Sequence, residues 1–97
     1  MRVMLQISIP PETGNRAIKD GSLQKSVMDF MDRTKPEAAY FLPMGGSRGA
    51  IFFFDMKENS SMPAVAEPFF ESLNASIVVT PAMSLDDLKI GLARLKG

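Results

Sequence analysis

Cysteine, histidine and tryptophan are all missing from this chain of 97 residues, and the first two absences remove much of the chemistry open to a small protein. Without cysteine there is no disulfide and no thiolate nucleophile. Without histidine there is no imidazole acid or base, and the two absences together leave no zinc site of the usual kind. Carboxylate, lysine, serine and tyrosine chemistry remain, with tyrosine reduced to Tyr40 alone. An excess of one charge is missing too, since eleven basic side chains face eleven acidic ones and no basic cluster appears along the chain. Phosphate neutralisation needs a concentrated positive face, so nucleic acid is not an expected partner. No apolar run approaches the roughly 18 residues of a spanning helix. Met1 to Pro10 is too short and too alternating for a secretory signal. These features predict a cytoplasmic protein without membrane association.

The chain is 45% apolar, with alternating patterns that favour a folded globule over disorder. Its length suits one domain over residues 1–97. A domain this small buries little more than about 60% of its unfolded surface, so self-association would add useful burial. Eight methionines supply adaptable core filler.

The stretch AAYFLPMGGSRGAIFFFDM, Ala38 to Met56, reads as two apolar strands joined by a glycine-rich turn. Neither strand has a polar face. A sheet packed on one side only would show polar residues at every second position. The pattern therefore predicts an antiparallel pair at the middle of a single sheet, with apolar cover on both sides. Gly45, Gly46 and Gly49 suit the positive φ angles of the turn.

Before this hairpin, Val3, Leu5, Ile7 and Ile9 alternate with Met4, Gln6 and Ser8, which predicts a strand over Arg2 to Ile9 stopped by Pro10 and Pro11. Leu23, Val27, Phe30 and Met31 follow a helical period whose phase does not run cleanly back through Ile18. A short helix or irregular turn from Thr13 to Lys19, a break at Gly21 and Ser22, and a helix from Leu23 to about Arg33, with Ser22 as its cap, are expected. After the hairpin, Pro63 opens a helix to about Leu73. Pro68 inside it predicts a kink or a two-part helix. Ala75 to Thr80 is a β-branched strand closed by Pro81. Ser84 with Asp87 resembles a capping box, with Met83 stapling onto Leu88. Leu85, Leu88, Leu92 and Leu95 then form one stripe, and Gly97 is read as a stop.

The resulting order β, α, β, β, α, β, α is the split pattern of an α+β, ferredoxin-like βαββαβ sandwich with a four-stranded antiparallel sheet and an extra C-terminal helix. The chain resembles the dimeric α/β barrels, the ferredoxin-like group that includes muconolactone isomerases and antibiotic-biosynthesis monooxygenases. More narrowly, IPPETGN (Ile9 to Asn15), KDG (Lys19 to Gly21), KPEAAYF (Lys35 to Phe41), PAVAEPFF (Pro63 to Phe70) and NASIVVTPAMSLDDL (Asn74 to Leu88) resemble a family of small bacterial proteins with no established activity. The resemblance implies a homodimer in which two sheets pack face to face while helices cover the outside.

Several side chains stand out as candidates. Glu67, before Pro68 and among Val65, Ala66, Phe69 and Phe70, would be a general base if partly desolvated, or a solvated helix residue. The Tyr40 hydroxyl needs a partner if buried, whether a ligand, a backbone carbonyl or water. Arg48 in GGSRG offers an anion site or a solvated turn residue; the segment lacks the spacing of a dinucleotide or P-loop motif. Lys19 and Asp20 sit at a bend. Arg2, Gln6 and Ser8 share a strand face that fits a cavity wall or a dimer seam. Asp86 and Asp87 do not converge on a metal, because neighbouring helix positions diverge.

Three functions stay open. The first is a small-molecule-binding dimer with no cofactor, its cavity bounded by Tyr40, Phe52, Phe54, Glu67 and Phe70 and its anion contact at Arg48. The second is a cofactor-independent isomerase with Glu67 as base and Tyr40 or Arg48 steadying negative charge. The third is a structural or oligomerisation module.

Overall fold

Alternation at the start of the chain becomes strand β1, Arg2–Ile9, with Val3, Leu5, Ile7 and Ile9 buried and the intervening residues on the opposite side. The structure is a computed structural model that describes residues 1–96; Gly97 lies outside the described residues. Pro11 begins helix α1, Pro11–Asp20, at a position where the missing N–H costs nothing. Gly21, at φ 82°, turns the chain into helix α2, Ser22–Thr34. The Ser22 side chain does not cap this helix. Its backbone N–H instead donates to Asp20 Oδ1 at 2.8 Å, because the left-handed glycine brings the Asp20 carboxylate over the new helix start. Hydrogen bonds from the Ser22 side chain and backbone hold that carboxyl below its usual range.

Strands β2, Ala38–Met44, and β3, Ser47–Asp55, are joined by Gly45 and Gly46 alone, at φ 58° and 83°. Positive φ at both central positions is what a two-residue hairpin of this twist requires. A 3₁₀ turn at Asn59–Ser61 leads into helix α3, Met62–Leu73, followed by strand β4, Ser76–Pro81, and helix α4, Leu85–Arg94. The four strands form one antiparallel sheet in the order β2-β3-β1-β4.

The hairpin does not occupy the middle of the sheet as a pair. β3 is central, but β2 is an edge strand whose Tyr40 and Phe41 are both exposed. β1 takes the other central position because it alone alternates cleanly and can pair on both sides. Only one face of the sheet is covered within the chain. There, α1, α2 and α3 pack against one another and over the strands, and the rows Ala39–Phe52–Leu5–Val79 and Phe41–Ala50–Ile7–Ile77 point toward them. Phe30 of α2 anchors this core, with ring centroids 4.6 Å from Phe52, 5.1 Å from Phe69 and 5.6 Å from Phe54. Such pairs add about 0.5–1.5 kcal/mol each beyond the burial of their area.

Helix α3 runs through Pro68 as one helix, so the two-part reading does not hold. The proline removes the N–H that would bond the carbonyl four residues earlier, which belongs to Ala64. That carbonyl accepts instead from the Arg33 guanidinium of α2 at 2.5 Å, and Arg33 also lies 5.9 Å above the Phe30 ring. The break in one helix thus becomes a bond between two.

Helix α4 carries the expected capping box, with Ser84 Oγ accepting from the Asp87 N–H at 3.1 Å and Asp87 Oδ2 accepting from the Ser84 N–H at 3.0 Å. Its N-terminus is tied to β1 by Arg2 Nη1, which donates to Asp87 Oδ2 at 3.2 Å, while Arg2 Nε pairs with Glu37. Beyond that point α4 buries no residue, and it helps stretch the molecule to 55 × 27 × 18 Å.

Candidate ligand cleft

An opening on the covered side lies at the hairpin end of the sheet, beside β2 and β3. Helix α1 follows β1 directly after Pro10 and meets α2 at Gly21, and residues of both helices line this opening together with the hairpin. The result is an open cleft of about 570 Å³, within the roughly 300–1,000 Å³ of small-molecule sites. Ile7, Ile9 and Ala50 form its floor. Ile18 of α1 and Leu23 and Val27 of α2 form one wall, and Phe41 and Pro43 of β2 face them. Ile18 and Phe41 remain 54% and 59% exposed beside it, although both are large and apolar.

Arg48 is the only ionisable residue that lines the cleft. It pairs with Ile9 and Pro43, so it points to the helix side of the sheet. Its Nη2 donates to Asn15 Oδ1 at 3.1 Å. The rest of the side chain lies along the backbone of Gly14, where an added Cβ would come within 2.7 Å of Nη1 and 3.3 Å of Cδ. Glycine inside a helix costs roughly 0.5–1 kcal/mol relative to alanine, and here it admits the arginine. No carboxylate pairs with Arg48 among the described residues.

The residues singled out from the sequence do not assemble around one cavity within the chain. Phe52 and Phe54 are buried in the core between sheet and helices. Glu67 and Phe70 are exposed on α3. Tyr40 is 61% exposed and sits in the row Tyr40–Ile51–Gln6–Val78 on the opposite face of the sheet, so the sheet separates it from α3. Arg48 alone of the six lies in the cleft. Gln6 and Ser8 share the face of Tyr40, and Lys19 is exposed on α1. Asp86 and Asp87 serve the helix N-terminus, and no group of three or more acidic residues that could hold a metal occurs among the described residues.

Sequence reasoning missed the wall formed by Ile18, Leu23 and Val27. The signal was the phase slip between Ile18 and the Leu23 stripe: two helices meeting at Gly21 each contribute apolar residues to one opening. Gly14, a glycine inside a helical pattern, was the other visible sign.

A second recess of about 730 Å³ at the far end of the sheet is lined by Arg2, Lys35, Glu37, Asp55 and Asp87, all but Lys35 in ion pairs among the described residues. Asp55 pairs with Lys57, and the Met1 amine lies 2.7 Å from its Oδ1. These contacts, led by the Lys57 hydrogen bond, lower the Asp55 carboxyl to about 2. Arg2, Glu37 and Asp87 complete this set.

No protein-family model matches the chain, and no curated protein does. Among solved structures it is similar to a de novo designed protein titled Ferredog-Diesel, with a TM-score of 0.51 and 9% identity over 84% of this chain and 85% of that one. At that identity the likeness concerns the fold alone.

Proposed function

We propose that this is a small-molecule-binding protein of ferredoxin-like fold that works as a homodimer. The observation that carries the binding reading is the apolar cleft with a single cation at its mouth and no acid in its lining. Proton transfer by an isomerase needs a base within hydrogen-bond reach of the substrate; Glu67 on α3 is not in the lining, which favours binding over catalysis. The strand order β2-β3-β1-β4 and the fold likeness support the ferredoxin-like assignment.

The dimer rests on the uncovered sheet face. Its rows Ala38–Phe53–Met4–Thr80, Tyr40–Ile51–Gln6–Val78 and Leu42–Gly49–Ser8–Ser76 hold no charge and mix apolar with uncharged polar side chains, and Arg2 and Asp55 lie at the end of the same face. Strand spacing and rise give this face on the order of 400 Å² of flat area, against about 800 Å² per partner in a specific interface. The unpartnered Leu85, Leu88 and Leu92 of α4 add apolar surface toward that requirement. A second copy facing the first across a two-fold axis would cover both.

Sedimentation at micromolar concentration tests the dimer, with a species near twice 10.6 kDa expected. A 10.6 kDa species alone would refute it. For the cleft, Val27→Trp should fill the opening and abolish binding of apolar probes while the fold persists by circular dichroism. Unchanged binding would place the ligand elsewhere.

A further inference from the structure

We infer that the cleft takes an amphipathic carboxylic acid, its apolar body between the Ile18–Val27 wall and Phe41 and its carboxylate on the guanidinium of Arg48. This deepens the ligand-binding reading above and rests on it. The walls of Ile18, Leu23, Val27 and Phe41 select a hydrocarbon or aromatic body; among the described residues Ser47 is the one uncharged lining residue with a side-chain hydrogen-bonding group. The one charge at the mouth selects a single negative group.

Arg48 is held ready for that role. Asn15 takes one of its donors at 3.1 Å, and Gly14 lets the side chain lie flat against α1, which limits the rotamer freedom a ligand would have to freeze. Its remaining donors have no acidic partner among the described residues. A planar guanidinium matches a carboxylate through two parallel hydrogen bonds. One cation balances a monoanion; a phosphate monoester, carrying up to two charges, would call for a second, and no lysine or further arginine lines the cleft.

The test compares decanoate, decanol and decyl phosphate by isothermal titration calorimetry on the wild-type protein and on Arg48→Gln, Arg48→Lys and Gly14→Ala. Decanoate should bind at least about tenfold more tightly than decanol, in line with a charged hydrogen bond. Arg48→Gln should remove that preference, with decanoate losing far more affinity than decanol. Arg48→Lys should keep part of it. Gly14→Ala, which favours helix α1 but displaces the guanidinium, should lower the preference with no loss of thermal stability. Equal binding of decanoate and decanol by the wild type would overturn the carboxylate assignment while leaving the cleft as a ligand site. Tighter binding of decyl phosphate than of decanoate would overturn it in favour of a phosphate ligand. Binding of none of the three would remove both this inference and the reading it rests on.

Discussion

The two faces of the sheet are built from similar residues and meet different fates. On the helix side, Phe52 is completely buried and three other phenylalanine rings surround it. On the outer side, its neighbours in sequence, Ile51 and Phe53, are half-buried, and Tyr40 and Val78 are 61% and 53% exposed. In the hairpin composition does not separate these faces, because it is apolar on both; β1 and β4 put Gln6, Ser8, Ser76 and Thr80 on the outer one. What separates them is the supply of cover: three helices go to one side and none to the other, since α4 leaves the body after its tie to Arg2. An apolar face without local cover is the mark of an interaction surface.

The largest expected effect tests this contrast directly. Phe52→Ala should cost about 3–5 kcal/mol of unfolding free energy at any protein concentration, because it opens a cavity among packed rings. Phe53→Ala should cost roughly 1 kcal/mol in dilute monomer, in keeping with its partial burial. Its cost should grow with protein concentration, since association stabilises only the folded state. Denaturant melts at two concentrations measure both. If Phe53→Ala cost the same at each concentration, the two faces would differ only in exposure and the outer one would have no partner.

Much of the covered face was legible in the sequence, and less of the site. The alternation in β1, the glycine turn and the Ser84–Asp87 box each depend on local geometry, so residue type and spacing were enough. The place of β2 at the edge was marked only by Pro43, which cannot donate to a ladder, because the charged residues that often mark an edge strand are absent from β2. The two-part reading of α3 failed for another reason: the cost of Pro68 in an isolated helix is local, but Arg33 supplies a donor to the Ala64 carbonyl from a helix more than thirty positions away. The cleft depended on how α1, α2 and the hairpin come together in space, which no periodicity states.

Gly49→Ala sharpens the contrast at one position on the outer face. An added Cβ there would meet Met44 Cε at 2.2 Å and the Ile7 carbonyl oxygen at 2.9 Å. Met44 can swing away; the β1 backbone cannot. The expected loss is about 1–3 kcal/mol from overpacking, measured by thermal or chemical unfolding. A neutral result would mean that β1 and β3 yield at the hairpin end, where the cleft opens.

A smaller effect is expected on the covered side from Arg33→Met, which keeps the stem over Phe30 but leaves the Ala64 carbonyl without its donor. Because this group is near the surface, water replaces part of the bond, and the loss should be about 1 kcal/mol. The double variant with Pro68→Ala restores a backbone N–H four residues from Ala64, so it should recover that loss. Additive behaviour in the double-variant cycle would show that the two residues act independently.

The smallest effect concerns the charged end of the outer face, where Arg2 stands opposite Asp55. The Asp55 carboxyl lies at about 2 in the folded chain, below its ordinary value of 3.8. The folded state therefore binds this proton less readily than the unfolded one. Its contribution is fully present above about pH 4 and is lost as the pH falls from about 4 toward 2. Asp20 and Asp87, also lowered, act in the same direction. Asp55→Asn should shallow the decline of unfolding free energy across that window, and added salt should do likewise because the pair with Lys57 is exposed to solvent. An unchanged acid limb in Asp55→Asn would assign the decline to Asp20 and Asp87 instead.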